Sequence, residues 1–376
     1  MKFITFGKPS LYPGELKEIT NTLKSGWLGT GPKSYKFEKN FSNYTNSKYS
    51  LALNSCTAAI FLTLKHLGLK KGDQVITTPL TFCSTVSSIL HVGATPVLAD
   101  INQETLNIDP QEIEKNITTK TKALIIVHFA GKICDMQSIR KICNKYNLFL
   151  IEDCAHAIET KLDNKNAGTF GDFGCFSFYV TKNLSTGEGG MIISKKKKAI
   201  QELRTLSLHG MDRDAWKRYG KSGFKHYDIV RAGFKFNMSD IHASIGIHQL
   251  NNIEKAWKKR ELIWNTYMKA FKNLPVVLPK KIPTNEKHSY HLFSIIVKSN
   301  KVREKLLNYL QKNNIGCGVH YKSINKYKFY KNKIINRKKN LIADKIGETI
   351  LSIPIYESLR KNEIKFIVDK FKKFFE

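Results

Sequence analysis

The 376-residue chain has few acidic residues, little arginine, no paired cysteines and no long apolar run. Its seven cysteines (Cys56, Cys83, Cys134, Cys143, Cys154, Cys175 and Cys317) are odd in number, scattered and without a Cys-x-x-Cys pair. That pattern excludes a disulfide framework and a zinc site, and reduced thiols in the cytoplasm are expected, with no metal. No stretch approaches the ~18 apolar residues of a membrane span, so no membrane partner is expected. The start, Met1 to Lys8, has neither an apolar segment nor a small-residue cleavage site, so no signal peptide is expected. Acidic residues number 31 against 62 basic ones, a formal charge of +31. Such a surplus raises nucleic acid or an anionic ligand as a partner. Yet it is spread along the chain, and only nine of the basic residues are arginine. Specific readers of bases and phosphates lean on arginine forks, so a lysine-biased composition with a modest pull on anionic substrates is the expectation, and a nucleic-acid partner is not.

What is present is a globular composition, 41% hydrophobic, long enough for about two or three domains. Tyr12 to Leu23 has helical spacing, and the Gly/Pro-rich stretch Gly26 to Pro32 with Trp27 breaks it. That stretch reads either as a simple loop or as one that lets backbone approach a ligand. Strand-like runs follow at Tyr49–Leu53, Asp73–Pro79, Thr95–Asp100, Ala123–Phe129 and Leu148–Asp153, alternating with helical stretches. This alternation predicts an α/β domain with a mainly parallel sheet covered on both faces. A strand at Met191–Ser194, a helix after an Asp or Ser cap near residue 240 and a further helical pattern from about Ile253 come next. The large domain is expected over 1–253. A smaller α+β domain over 254–376 is expected to hold a strand from His291, a helix over Val302–Asn313, a short strand over Ile315–Tyr321 and a closing amphipathic helix.

Ligands of such sheets sit beyond the carboxyl ends of the strands. Polar groups gather at those ends: Ser55 and Thr57, Thr81 and Phe82, His128, Asp153 and His156, and Lys182. Ser55 to Thr57 precede an apolar helix, where small hydroxyl residues act as caps or, with the free amides, as a phosphate cradle. Asp153 reads as a structural acid or as a partner for a protonated pyridine nitrogen. Lys182 stands between the strand-like Phe176–Val180 and the glycine bend Gly187-Glu188-Gly189-Gly190. A lysine amine there is suited to form a Schiff base with an aldehyde cofactor. With so many lysines in the chain, the competing reading is a solvated surface charge.

Eight segments in order carry a resemblance that spans nearly the whole chain: Gly26 to Pro32, Asn54 to Ala59, Pro79 to Phe82, Glu152 to Ala157, Gly171 to Phe178, Thr181 to Gly190, Gly233 to Asp240 and Gly318 to Tyr321. With these the chain resembles the DegT family of pyridoxal-phosphate-dependent nucleotide-sugar aminotransferases. The resemblance implies the type I aminotransferase fold with a seven-stranded, mostly parallel sheet, pyridoxal 5′-phosphate as cofactor, and a homodimer with active sites at the subunit interface. It implies that Lys182 carries the cofactor and moves the proton, and that Asp153 keeps the pyridine nitrogen protonated. Ser177 and the amides around Ser55, Cys56 and Thr57 would cradle the phosphate; Cys56 stands where the family usually has glycine, a departure that leaves the site intact because amides do the binding, with crowding of the cradle as the alternative. Phe82 would stack on the ring or belong to the core. His156 would lie near the ring's phenolic oxygen or be a satisfied helix-start histidine. Asn237, or its neighbour Lys235, would reach the partner's phosphate. Thr30, His320 and Tyr321 would face the sugar or its diphosphate, or serve the fold.

The activity implied is amino transfer from an amino acid, glutamate, to a nucleotide-linked keto-sugar for surface polysaccharide, through a pyridoxamine form of the cofactor. The Asp153-Cys154-Ala155-His156 pattern resembles members acting at carbon 4, so a 4-keto-6-deoxy sugar is expected, with a 3-keto sugar as the alternative. A family dehydratase is disfavoured because those have histidine at the position of Lys182. A non-catalytic regulatory or nucleic-acid-binding relative is the remaining alternative, prompted by charge.

Overall fold

The computed structural model of the chain describes residues 2–212, 227–338 and 341–376. Strands β1 (Tyr49–Leu53), β2 (Gln74–Thr77), β3 (Thr95–Leu98), β4 (Thr121–Val127) and β5 (Phe149–Asp153) are followed by the two-residue β6 (Lys161–Leu162) and β7 (Lys165–Asn166), then β8 (Phe173–Ser177) and β9 (Gly190–Ser194). Seven of them form one sheet in the order β1-β9-β8-β5-β4-β2-β3. The pairs from β8 through β5, β4 and β2 to β3 are parallel, and β9 is antiparallel to both its neighbours.

Side chains along these strands alternate between two buried faces, which is why the strands read as continuous apolar runs. Ile76, Leu124, Ile126 and Leu150 join Phe37 and Phe41 of α2 (Pro32–Thr45), Ile139 of α6 (Met136–Tyr146) and Ile247 of α8 (Asp240–Phe271) in one core. Val75, Ala123, Ile125 and Ile151 join Ile60 and Leu64 of α3 (Cys56–His66) and Leu203 of α7 (Lys197–Ser207) in the other. The lysine run from Lys195 to Lys198 supplies the cap and first turn of α7.

The C-terminal part holds β10 (Val276–Val277), β11 (Glu286–Lys287), β12 (Phe293–Val297) and β13 (Ile350–Ile353), of which β10, β12 and β13 form an antiparallel sheet in that order. Helices α9 (Asn300–Lys312), α10 (Ile342–Thr349) and α11 (Lys361–Phe375) accompany it. Strand β13 and helix α10 are additions to the sequence reading. The strand expected over Ile315–Tyr321 is absent: Ile315 and Gly318 make only single bridges, to Ile4 and Ser352. Neither bridge extends into a ladder, so 315–321 runs as irregular chain.

Helix α8 is continuous for 32 residues, about 48 Å at 1.5 Å per residue. Its first half contributes Ala243, Ile247 and Leu250 to the core beneath the large sheet, and its second half contributes Ile263, Trp264, Tyr267 and Phe271 to the C-terminal core. The boundary expected at 253/254 lies inside this helix, a rigid connection that the sequence pattern presented as two segments.

The start of α8 also fixes the N-terminal loop. Asp240, 1% exposed, accepts from the amides of Gly31 (2.8 Å), Ser34 (2.9 Å) and Lys33 (2.9 Å) and from the Ser34 hydroxyl (2.7 Å). These are the unpaired donors at the start of α2. A Cβ on Gly31 would stand 2.1 Å from Trp27 Nε1, so glycine lets the indole and the carboxylate close on the loop. The Gly26 to Pro32 stretch is thus held by contacts within the chain, through Asp240 and Trp27. Asp240→Ala strands those donors and should cost about 3 kcal/mol, read as a lower urea midpoint with an unchanged m-value.

Candidate active site

A cavity of about 460 Å³ opens beyond the carboxyl ends of β4, β5 and β8. Ser55, Cys56, Thr57, Phe82, Asp153, His156, Ser177, Lys182, His320 and Tyr321 all line it. Thr30 and Asn237 do not. Asn237 Nδ2 donates to Thr30 Oγ1 (2.5 Å), Lys235 Nζ donates to Asn237 Oδ1 (2.7 Å), and Thr30 Oγ1 donates to the Met238 carbonyl (2.6 Å), a separate cluster outside the cavity.

Asp153 is the last residue of β5 and 4% exposed. Its oxygens accept from the Ala155 amide (3.1 Å) and the Thr85 hydroxyl (2.9 Å), with Cys56 Sγ at 4.0 Å. Thr85 in turn accepts from Thr81 (2.9 Å) once its own proton is committed to the carboxylate. Burial pushes the Asp153 carboxyl up, and the amide, the hydroxyl and the Lys182 charge pull it back.

Lys182 lies in a turn five residues past the end of β8, with its amide bonded to the Tyr179 carbonyl (2.8 Å). The three glycines behind it serve different needs. Gly187 has φ +83°, a conformation favouring glycine. Cβ atoms on Gly189 and Gly190 would stand 2.3 Å from Thr186 Oγ1 and 2.4 Å from the Ser55 carbonyl carbon, so their bareness brings the start of α3 against the bend. The Lys182 amine has no hydrogen-bond or ion-pair partner among the described residues. Burial lowers it from 10.5 to about 8, with Asp153 and Cys56 opposing.

Ser55 caps α3 by accepting from the Ala58 amide (3.1 Å), so capping and an anion cradle coexist: the cap consumes one donor, while Ser55, Cys56 and Thr57 still face the cavity. Cys56 is 9% exposed and packs in the core behind α3, with its Sγ toward Asp153. Phe82 is 57% exposed and its ring lines the cavity, which removes the core reading.

His156 is fixed from both sides. The Ala130 amide donates to Nδ1 (3.3 Å), so the proton of the neutral ring is on Nε2 and donates to Tyr321 Oη (3.0 Å). The Tyr321 proton is thereby left free to donate elsewhere. Burial, then Lys182 and His320, hold His156 well below its ordinary value, and burial with Lys182 takes His320 down to about 4. His128 is different in kind: fully enclosed, it donates from Nε2 to Glu152 (3.0 Å) and accepts from the Cys134 amide (3.2 Å). Glu152 also takes the amides of Gly168, Phe170 and Gly171, so of the gathering of His128, Glu152 and Cys154 the imidazole and the carboxylate are committed to the fold.

Sequence reasoning missed Thr85, Asn183 and His291. Thr85 hides in the apolar start of α4 (Cys83–His91), and His291 reaches the cavity from the C-terminal part. Only Asn183, next to Lys182, had a signal of position.

A buried carboxylate, an amine poised near neutrality, a bare aromatic face and a helix start with small hydroxyls suit the pyridine nitrogen, aldehyde, ring and phosphate of one molecule. On this fold they define a pyridoxal-phosphate enzyme. The chain belongs to the DegT/DnrJ/EryC1/StrS aminotransferase family, whose model matches residues 10–372. It is 42% identical over 370 residues to an uncharacterised protein of Methanocaldococcus jannaschii, spanning 97% of this chain and 96% of the relative. It is 39% identical over 372 residues to the spore coat polysaccharide biosynthesis protein SpsC of Bacillus subtilis (98% and 96%). Among solved structures, the sugar aminotransferase Spr1654 of Streptococcus pneumoniae in its PMP form matches with a TM-score of 0.92 and 32% identity over 99% of this chain and 98% of the other. Helicobacter pylori PseC, an aminotransferase of pseudoaminic acid biosynthesis, matches with 0.92 and 28% over 100% and 99%. The protein is an aminotransferase, and pyridoxal 5′-phosphate is its cofactor.

The lowered Lys182 value carries a stability cost in the cofactor-free protein. Between pH about 8 and the unfolded value near ~10.4 the unfolded chain binds more protons at this site, so stability rises with pH across that window and the cost is complete below it. Lys182→Met should therefore stabilise the cofactor-free protein at pH 7 by roughly 2–3 kcal/mol and flatten that rise, measured by denaturant titration at several pH values.

Proposed function

We propose that the chain transfers the amino group of an amino acid, glutamate, to a nucleotide-linked keto-sugar, a 4-keto-6-deoxy sugar, in the making of amino sugars for surface polysaccharide. The observation carrying this reading is the meeting of Lys182, Asp153 and the start of α3 in one cavity walled by His320 and Tyr321. The roles of SpsC in spore coat polysaccharide and of PseC in pseudoaminic acid biosynthesis support a sugar acceptor. The PMP and PLP forms of Spr1654 support an amino group parked on the cofactor between two half-reactions.

Bound in this cavity, pyridoxal phosphate supplies an aldehyde that carries the amino group and a ring that accepts the electron pair released when a proton leaves the substrate carbon. Lys182 takes that proton and returns it to the neighbouring carbon, a task suited to an amine near pKa 8. Asp153, kept in place by Thr85 and the Ala155 amide, holds the proton of the ring nitrogen. Ser55, Ser177 and the amides of Cys56 and Thr57 bind the phosphate. Phe82 covers the ring face and His156 marks the phenolic-oxygen side; the preference for carbon 4 rests on the Asp153-Cys154-Ala155-His156 pattern. His320 and Tyr321 face the sugar.

The chain works as a homodimer with shared active sites. Asn237, with Thr30 and Lys235 bonded to it, lies outside its own cavity and is offered to the partner's phosphate and substrate. Exposed Tyr227, Ile229 and Val230 nearby in sequence give the apolar surface such an interface needs. The compartment is the cytoplasm, consistent with seven unpaired thiols.

In Lys182→Ala, the visible absorbance of covalently held cofactor should vanish and kcat should fall by at least ~10³-fold. Survival of that absorbance would overturn the assignment. Mixing the pyridoxamine-loaded protein with a panel of nucleotide keto-sugars should restore absorbance with a 4-keto-6-deoxy member. A panel in which only 3-keto sugars react would reverse the positional assignment.

A further inference from the structure

The C-terminal part contributes a histidine to the cavity that the reading above does not use. His291 is 6% exposed and its ring lies 4.5 Å from that of His156, tilted by 34°. Its Nδ1 is 2.9 Å from Asn183 Oδ1. The orientation of Asn183 is fixed by its other contacts: its amide nitrogen lies 3.0 Å from both Glu159 oxygens and 2.7 Å from the Ser289 carbonyl, all acceptors. The oxygen must therefore face His291, so Nδ1 carries the ring proton and donates. Glu159 is itself fully buried, with its amide bonded to Ser289 Oγ (3.1 Å).

The lone pair of the neutral ring is then on Nε2. That atom has no partner among the described residues, and it is not enclosed, because the ring lines the cavity. Burial, together with His156, Lys182, Arg260 and His320, holds His291 in the neutral form. The two stacked histidines thus have opposite tautomers. His156 donates to Tyr321 and frees the tyrosine proton, while His291 offers an acceptor.

We infer that His291 Nε2 accepts a hydrogen bond from a hydroxyl of the sugar substrate, and that Asn183 and Glu159 are positioning residues that fix this acceptor. The inference rests on the sugar reading of the site. Of the polar groups lining the cavity, the protonated Lys182 amine and the free amides of α3 only donate, the hydroxyls of Ser55, Thr57, Ser177 and Tyr321 can donate or accept, and His291 Nε2 can only accept. Asp153 is occupied by Thr85 and Ala155, and Glu188 is solvent-exposed. A hydroxyl needs an acceptor for its proton as well as a donor to its oxygen, and His291 beside Tyr321 supplies both without adding charge. The carboxylate of an amino-acid donor would meet the same lone pair unfavourably, so the contact belongs to the sugar half-reaction.

Long-range ¹H–¹⁵N NMR of the cofactor-free full-length protein should show His291 protonated on Nδ1 alone. In Asn183→Asp the new carboxylate should shift the ring toward the doubly protonated form. His291→Asn keeps a donor toward Asn183 and removes Nε2; it should raise KM for the nucleotide keto-sugar by ~10–30-fold, the loss of one neutral hydrogen bond. The effect should be selective for the sugar half-reaction over the amino-acid half-reaction, each followed by cofactor absorbance. His291→Gln, whose amide oxygen can take the place of Nε2, should recover part of the loss. A proton on Nε2 in the wild-type protein, an unchanged sugar KM in His291→Asn, or an equal fall in both half-reactions would each overturn the inference. A wild-type protein inert to every nucleotide keto-sugar would bring down the sugar reading itself and this inference with it, a failure visible without any variant.

Discussion

Removing water from one sheet edge while deciding which buried groups keep a charge is the constraint on which the site depends. Asp153 and Lys182 meet the same loss of solvent with opposite provision. The carboxylate is given an amide, a hydroxyl and a nearby thiol, so the fold partly offsets the cost of its charge. The amine is given no acceptor among the described residues, so burial outweighs the opposing pull of Asp153 and Cys56 and brings it to about 8. This asymmetry separates the two groups: the carboxylate is supplied with donors, and the amine with no acceptor among the described residues. The histidines follow the same logic. His156, His291 and His320 are all pressed toward the neutral form by burial and by Lys182, so the cavity wall gains donors and acceptors without added positive charge.

The backbone at the end of β4 ties these groups together. Ala130 adopts φ +56°, unusual for a residue with a side chain. In that conformation its amide points at His156 Nδ1, while its carbonyl accepts from the amides of His291 (3.3 Å) and Leu292 (3.4 Å). Gly131 beside it is bare because a Cβ would come within 2.8 Å of Ser289 and 2.9 Å of the His156 carbonyl. One strained turn thus sets the tautomer of the first histidine and the position of the second. It also joins the large sheet to the C-terminal part at the point where the cavity lies between them.

What was legible in the sequence was local. Asp153 ends an apolar run, Ser55 precedes a helix, and Lys182 precedes a glycine bend; each pattern follows from strand, cap and turn chemistry within a few residues, and all three reach the cavity. What was not legible depends on distant partners. Thr85 looks like any hydroxyl at a helix start until Asp153, 68 residues away, is placed against it. His291 sits in a segment that reads as strand, and only its bond to Asn183, 108 residues earlier, gives its ring a direction. The continuity of α8 was hidden because the helix changes its buried partners midway, which broke the apolar periodicity into two patterns. Thr30 was expected to face the sugar and Asn237 the partner's phosphate, and sequence cannot say that they bond to each other outside the cavity.

The charge surplus has an explanation in the same economy of buried groups. Asp100, Glu152 and Asp240 are all buried, and each spends its carboxylate on backbone amides: Asp100 on those of Ile101, Ile342 and Ala343, Glu152 on three around Gly168–Gly171, and Asp240 on three at the start of α2. Glu38 is likewise buried, accepting the Ala52 amide and pairing with Arg204. Acids used as internal caps leave fewer carboxylates to pair with surface lysines, although Asp100 also takes the Lys338 amine (3.0 Å). A diffuse lysine field attracts anions without discriminating among them and weakens with salt.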